Sequence, residues 1–413
     1  MTLELKQVFT PGGVPSITYV DRQHLKLEDR IRNAVTRGFA FNVVTGATKS
    51  GKSVLCHRAL AGHRIVTVEG GLVGSEGEFW QLIAHQLDLA ESATKALRTG
   101  DKFATEANAG FEFGIKAGGK ATSETSSDRT TSVTYSTAIK LACIEALLKE
   151  NAVLLIDDFH YVEQSIQRSV IQGLKGAVMR GLTVFLLAVP HRAFDPVTVE
   201  NEVEGRFKHV EIPDWDQHDL IKIPQQGFKA LKLDVSNEVC ESICEQSFGN
   251  PLLVQEACSE FAIANGVNRE QPSLTKLDES KLKEAFTEMA NSKGFPKFQK
   301  LKKGPDARKA RQLRTLNDGT QEDIYSAIMR AIARTGPQPR LTYDEIRASL
   351  KIVMGEGRAL PQKHEITSAL SHMSAIAKKE IKGEPPLEWV KDAGELVITD
   401  PFLLFYMRHG LAT

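Results

Sequence analysis

The chain has 413 residues, too many for one ordinary core, and implies two or three domains. Hydrophobic residues make up 41% and charged residues 25%, the balance of a globular protein. Lys plus Arg and Asp plus Glu number 52 each, which excludes a global field drawing the chain to nucleic acid or membrane, so any such partner is sought in local patches. The longest apolar stretch, Ala152–Ile156, is too short to cross a bilayer, and the amino terminus lacks the basic segment and apolar run of a secretion signal. The expectation is a cytoplasmic protein without membrane contact. Its cysteines (Cys56, Cys143, Cys240, Cys244, Cys258) form no Cys-x-x-Cys pair and read as small buried apolar residues in a reducing compartment.

Residues 1–18, with Pro11-Gly12-Gly13 and Pro15, predict an irregular arm. Leu25–Arg37 has helical spacing and leads into Phe39–Val44, a short run that predicts a strand, followed by a Gly-containing loop and a helix at Lys52–Leu60. A strand at Arg64–Val68 and a helix at Glu78–Leu87 follow, and strand, helix, strand in succession argues for a parallel sheet. Thr99–Ser136 is rich in Gly, Ser, Thr and Ala and reads as an insertion, either a passive loop or a partner's contact surface. The alternation resumes with a helix at Thr137–Lys149, a strand at Ala152–Ile156, a helix at Gln164–Arg180 and a strand at Thr183–Val189. This alternation of strands and helices suffices for a doubly wound nucleotide-binding core.

From Gln217 the strands stop. His218–Leu231, Asn237–Gln246 and Pro251–Asn265 predict a small lid-like helical bundle. Lys293–Arg314 holds nine Lys or Arg and one Asp and reads as a basic connector. Helices at Gln321–Thr335, Thr342–Lys351 and Gln362–Lys379, then strands at Leu387–Lys391 and Glu395–Thr399 around a turn at Asp392–Gly394, spell a winged helix-turn-helix. The expected domains are a nucleotide-binding α/β domain over 1–216 with its insertion at 99–136, a helical lid over 217–292, a basic linker over 293–318 and an α+β winged helix-turn-helix over 319–413.

Gly46-Ala47-Thr48-Lys49-Ser50-Gly51-Lys52-Ser53, with Val54 continuing the helix, fits the phosphate-loop pattern G-x-x-x-x-G-K-[ST] (Walker A) at every position. Two glycines let the backbone curl so that successive N–H groups converge on phosphate oxygens, and the helix adds its positive end. Lys52 brings a charge to the β- and γ-phosphates, and the Ser53 hydroxyl is a Mg²⁺ ligand. ATP and Mg²⁺ are the implied cofactors. Val153-Leu154-Leu155-Ile156-Asp157-Asp158 is the companion: a buried strand delivers Asp157 to the sheet's carboxyl edge as a metal residue, and Asp158 is suited to polarise the attacking water. Asp158 alone can equally cap a helix.

His191, after the strand ending at Val189, is either a sensor of the γ-phosphate or a solvated loop residue. Arg206 is either an arginine finger reaching a neighbouring subunit's γ-phosphate or a surface ion pair. On the third tail helix Lys363, His364, Thr367, Ser371, Lys378 and Lys379 are candidate DNA contacts, and the connector's lysines and arginines can neutralise phosphates. Winged helices also dock proteins, and that alternative stays open.

Together these pieces resemble the AAA+ superfamily, in the branch shared by origin-recognition-type initiators, archaeal-type winged-helix ATPases and STAND signalling ATPases. Tyr19-Val20-Asp21-Arg22 is similar to the element that packs near the adenine in these families, with Asp21 where Gly is usual, so the resemblance places Tyr19 and Arg22 at the nucleotide. Gly249-Asn250-Pro251 resembles the Gly-x-Pro turn that couples nucleotide state to the lid, which brings in Pro251. The stretch Leu396–Arg408 resembles the end of the winged-helix segment of the archaeal-type ATPases. The resemblance implies an ATPase that forms a homo-oligomer and works with a separate effector or machinery protein. Two roles follow: a DNA-associated switch in replication, transposition or recombination, or a STAND-like signalling ATPase, for instance in phage defence, that regulates an effector without binding DNA.

Overall fold

The computed structural model describes residues 2–89, 138–189, 206–306, 310–355, 357–381 and 385–411. The insertion expected at 99–136 and His191 lie outside the described residues. The chain divides into two compact units, Lys26–Gly46 with Leu55–Ile212, and Met1–Leu25 with Ala47–Val54 and Pro213–Thr413.

The first unit is built on a parallel sheet of β1 (Phe41–Thr45), β2 (Ile65–Glu69), β3 (Val153–Asp157), β4 (Thr183–Ala188) and β5 (Phe207–Glu211), in the order β2-β3-β4-β1-β5. The three central strands are apolar almost throughout, because a parallel sheet is covered on both faces and has no side for polar residues. The edge strand β5 has the sequence FKHVE and a mixed burial pattern, which is why apolar patterning does not locate it. Helices α1 (Leu27–Arg37), α2 (Lys52–Ala59, whose first turn belongs to the other unit), α3 (Glu76–Gln86), α4 (138–149) and α5 (Gln164–Met179) alternate with the strands. Phe79, Trp80, Ile83, Leu147, Ile171 and Leu174 from three of them share a core with Val66, Leu154 and Val184 of the sheet.

The second unit is mainly helical. Its amino-terminal arm belongs here, not to the sheet domain in which a boundary at 216 places it. Leu5, Val8, Phe9 and Val20 enter the helical core, and a Cβ at Gly227 would overlap the Phe9 ring. Helices α6 (Lys222–Ala230), α7 (Asn237–Gln246), α8 (Pro251–Ala264) and α9 (Leu282–Met289) form the bundle. The basic segment is not a linker but in part a helix, α10 (Phe295–Lys303), entered through a π turn at Ala290–Gly294. Phe298 and Leu301 are buried three residues apart while the lysines line the outer surface, so the dense charge hides a short amphipathic helix.

The tail runs α11 (Ile324–Arg334), β6 (Arg340–Thr342), α12 (Tyr343–Met354), α13 (Lys363–Glu380), β7 (Leu387–Val390), β8 (Glu395–Ile398) and α14 (Pro401–His409). The tail carries an antiparallel sheet in the order β6-β8-β7, with its elements in the sequence helix, strand, helix, helix, strand, strand. The closing helix α14 packs on the π turn, where a Cβ at Gly294 would lie 3.2 Å from the Phe402 carbonyl carbon and overlap Tyr406. Among the described residues no helix is long and apolar enough to cross a membrane. All five cysteines are buried and unbridged, and burial pushes the Cys143 thiol up to about 12.

Candidate nucleotide-binding site

β1 lies between β4 and β5, so the chain reverses its direction of travel across the sheet at β1, and crevices for ligands open at such switch points beyond the strands' carboxyl ends. The loop that follows Thr45 leaves from that edge and ends where α2 begins at Lys52. Lys49 has φ +58° and Gly51 φ +93°. A side chain at Gly51 would find open space, but its backbone conformation is one that L residues rarely adopt, so glycine is required there by torsion rather than by crowding.

Three carbonyls of the loop are engaged by donors. Lys52 Nζ donates to Ala47 O at 3.0 Å, Asn250 Nδ2 to Thr48 O at 3.1 Å, and Trp215 Nε1 to Ser50 O at 2.9 Å. With its carbonyls held this way, the loop keeps a fixed curl before any ligand arrives. Lys52 is 6% exposed, and the buried Ser50 Oγ has no hydrogen-bond partner among the described residues. An orphaned hydroxyl costs about 1–3 kcal/mol of desolvation unless something accepts or donates to it. A cation, a helix start and an unsatisfied hydroxyl in one curled loop form a donor set suited to phosphate oxygens.

Asp157 closes β3 at the carboxyl edge of the sheet, opposite Glu69 of β2. Asp158 follows with φ +50°, and its N–H donates to Asp157 Oδ1 at 2.9 Å. The turn is clamped from two sides. Buried Gln167 donates Nε2 to Phe159 O at 2.9 Å and Val162 O at 3.0 Å, while Gly70 packs so closely that a Cβ there would lie 2.9 Å from the Asp158 carbonyl carbon. Two adjacent carboxylates on a fixed turn can hold a hydrated cation and orient a water.

The remaining expected residues divide. Tyr19 is half-buried in the arm. Arg22 does not present its guanidinium to a ligand. It donates to Pro213 O at 2.9 Å, Asp214 O at 2.7 Å and Asp219 Oδ2 at 3.3 Å, and lies over the Trp215 ring at 4.8 Å. Burial lowers its pKa, opposed by the Asp219 carboxylate. Its part is to seat Trp215, which in turn holds the phosphate loop. Pro251 sits in the first turn of α8, and the residue that reaches the loop is its neighbour Asn250, whose Oδ1 caps Leu252 N and Leu253 N. Trp215 and Asp400, whose carboxylate lies 3.1 Å from Lys49 Nζ, carry no sequence signal and complete the set that pattern reading misses. Arg206 precedes β5, whose first residue pairs with Phe41, so it stands at the amino edge of the sheet, the edge opposite Asp157.

On α13 the inward stripe takes in Ile366, Ala369, Leu370, Met373, Ile376 and Ala377. That wide stripe turns Thr367 and Ser371 to its flank, where their hydroxyls bond back to Lys363 O at 3.0 Å and Thr367 O at 2.8 Å. His364, Ser368, Ala375 and Lys379 stand outward instead, with Lys363 and Lys378 also exposed, while exposed His372 shares a hydrogen bond of 2.9 Å between its Nδ1 and Tyr325 Oη. The basic segment offers less free charge than its count suggests. Lys293 pairs with Glu256, Lys297 with Asp400, Lys302 with Glu322, Arg311 with Asp323 and Arg314 with Glu365.

A parallel five-stranded sheet with β1 between β4 and β5, a phosphate loop after β1 and a following helical unit make this a P-loop fold of the AAA+ type. Among solved structures the chain is similar to a Walker-type ATPase of Pyrococcus abyssi, at 14% identity and a TM-score of 0.54, covering 94% of this chain and 96% of that one. It is less similar to Cdc6p from Pyrobaculum aerophilum (13% identity, TM-score 0.46, covering 98% and 97%) and to the ORC2 protein of Aeropyrum pernix (13%, 0.47, 96% and 94%). Such identities speak for the fold alone. No family model matches the chain, nor does any curated protein sequence.

Proposed function

We propose that this chain binds ATP with Mg²⁺, hydrolyses it, and works as an oligomeric switch in DNA transactions. The observation that carries the reading is the pre-curled loop, with three carbonyls held by Lys52, Asn250 and Trp215 and the Ser50 hydroxyl buried without a hydrogen-bond partner among the described residues. In this reading the loop amides and Lys52 would bind the phosphates, Ser53 would be a ligand of the magnesium ion, Asp157 is assigned to that ion by the sequence pattern alone, and bound magnesium would supply charge neutralisation on the phosphate oxygens. Asp158 orients a water and accepts its proton as the water oxygen bonds to the γ-phosphorus. The bond from that phosphorus to the bridging oxygen breaks, and ADP and inorganic phosphate leave.

Arg206, at the amino edge of the sheet, serves only in trans, toward a neighbouring copy. That is where an arginine finger would add about 10³–10⁵ in rate. The winged helix supplies the DNA contact through the outward face of α13, and the partner is the machinery assembled there.

Calorimetric titration with ATP and Mg²⁺ tests the core of this. Lys52→Ala loses binding, whereas Asp158→Asn keeps binding and loses turnover; normal turnover by Asp158→Asn refutes its assigned role. Arg206→Ala keeps ATP affinity and loses turnover in the oligomer only, and an equal loss in dilute monomer refutes action in trans. DNA binding that weakens steeply with salt supports the switch in DNA transactions. No DNA binding at low salt in either nucleotide state removes that part and leaves a signalling ATPase.

A further inference from the structure

The phosphate loop is also gripped from the far end of the chain. Lys49 Nζ lies 3.1 Å from Asp400 Oδ2, and the same carboxylate pairs with Lys297. Asp400 is 2% exposed and its other oxygen caps α14 by accepting from Leu403 N at 2.8 Å. Burial alone would push this carboxyl up, but Lys49 and Lys297 outweigh it and hold it below the ordinary carboxylate range. Beside it the Phe402 ring faces Lys49, Lys293 and Lys297 at 5.3, 5.0 and 5.9 Å, and Lys293 pairs with buried Glu256. Three lysines thus surround two carboxylates, with one of the lysines belonging to the loop itself.

We propose that Asp400 is a positioning residue of the nucleotide site contributed by the winged-helix tail, a latch that competes with the triphosphate for Lys49. The proposal rests on the nucleotide-binding reading above. An anionic ligand in the loop and the Asp400 carboxylate draw on the same Lys49 ammonium group, so each weakens the other's hold on it. Binding therefore loosens the tail's hold on the loop. By linkage, anything that pulls the tail away, such as DNA on α13, tightens nucleotide binding by the same factor.

Asp400→Asn removes the charge and keeps an N-cap acceptor for Leu403. It raises affinity for a fluorescent ATP analogue on the order of 5- to 20-fold, within the usual range of coupling between linked sites. Lys297→Ala shifts affinity the other way, because Asp400 then has Lys49 alone. In a Lys49→Ala background Asp400→Asn changes affinity no further. Unchanged affinity in Asp400→Asn, or the same increase with Lys49→Ala present, overturns the proposal.

A double-mutant stability cycle between positions 49 and 400, run without nucleotide, separates the two failures. If the wild type binds no nucleotide, the functional reading falls and the latch falls with it as a regulator, whatever the cycle gives. If nucleotide binds and the cycle shows coupling without any change in affinity, the contact is structural only and the proposal alone is refuted.

Discussion

Replacing Arg22 with alanine separates contact with the nucleotide, which the resemblance implies, from support of the loop through Trp215, which the contacts of Arg22 indicate. The guanidinium is 6% exposed at its side chain and Asp219 is 0% exposed, so the variant strands a buried carboxylate. Removing one partner of a buried pair costs about 3–5 kcal/mol. Asp219 keeps Lys222 Nζ at 2.8 Å, which favours the lower end, so a loss of about 3 kcal/mol is expected. In urea this moves the midpoint of the helical unit down by about 1 M. The carbonyls of Pro213 and Asp214 lose their donors as well, and Trp215 loses the cation beneath its ring. The indole's bond to Ser50 O then loosens, and a hydrogen bond of this kind is worth about 1 kcal/mol, close to fivefold in affinity. In the proposed reading the loop binds phosphate and not base, so affinities for ATP and GTP are expected to fall together. The assays are equilibrium unfolding followed by tryptophan fluorescence and parallel titrations with the two nucleotides. A loss confined to ATP would show a base contact and refute the reasoning, as would a destabilisation below about 1 kcal/mol.

Three further outcomes follow from particular contacts. Gly70→Ala drives a methyl group into the Asp158 carbonyl, displaces the acidic turn, and lowers turnover at least tenfold while nucleotide affinity changes little; unaltered turnover would show that the turn yields freely. Burial and nearby Arg408 lower the His409 pKa from 6.5 to about 4, so the unfolded chain binds the extra proton between those values. Stability from this group is therefore full above pH 6.5 and is lost as pH falls toward 4, by about 2–3 kcal/mol. His409→Phe, which keeps the ring against Phe286 and Phe405, has a shallower decline over that window in urea titrations at several pH values, and an identical decline refutes the assignment. On α13, Ser368→Ala with His372→Ala weakens DNA binding about tenfold or more, since each good base contact is worth about 1–3 kcal/mol. Thr367→Ala with Ser371→Ala changes it little, and the reverse order in a DNA titration would mean that the outward face is misassigned.

The phosphate loop and the acidic pair were legible because each is contiguous. The torsions that Lys49 and Gly51 adopt and the helix start at Lys52 are demands of neighbouring residues on one another, and they hold wherever the rest of the chain goes. The central strands were legible for a related reason: two covered faces favour a nearly continuous apolar run of five or six residues. The edge strand β5 pairs on one side only and shows no such run. Helix α10 was hidden because its two buried anchors are outnumbered by lysines whose partners lie elsewhere in the chain.

By itself, then, the sequence determined which backbone segment curls between β1 and the following helix, which strand ends in two carboxylates, and the order of helices and strands in the tail. Only the tertiary structure decided that Arg22 supports Trp215 in place of touching a ligand, that Asn250 reaches the loop 202 residues away, and that Asp400 holds Lys49 across 351. The reason lies in range. Periodicity and turn chemistry report interactions within a few residues, whereas the partner of a buried charge is chosen by which surfaces the folded chain brings together.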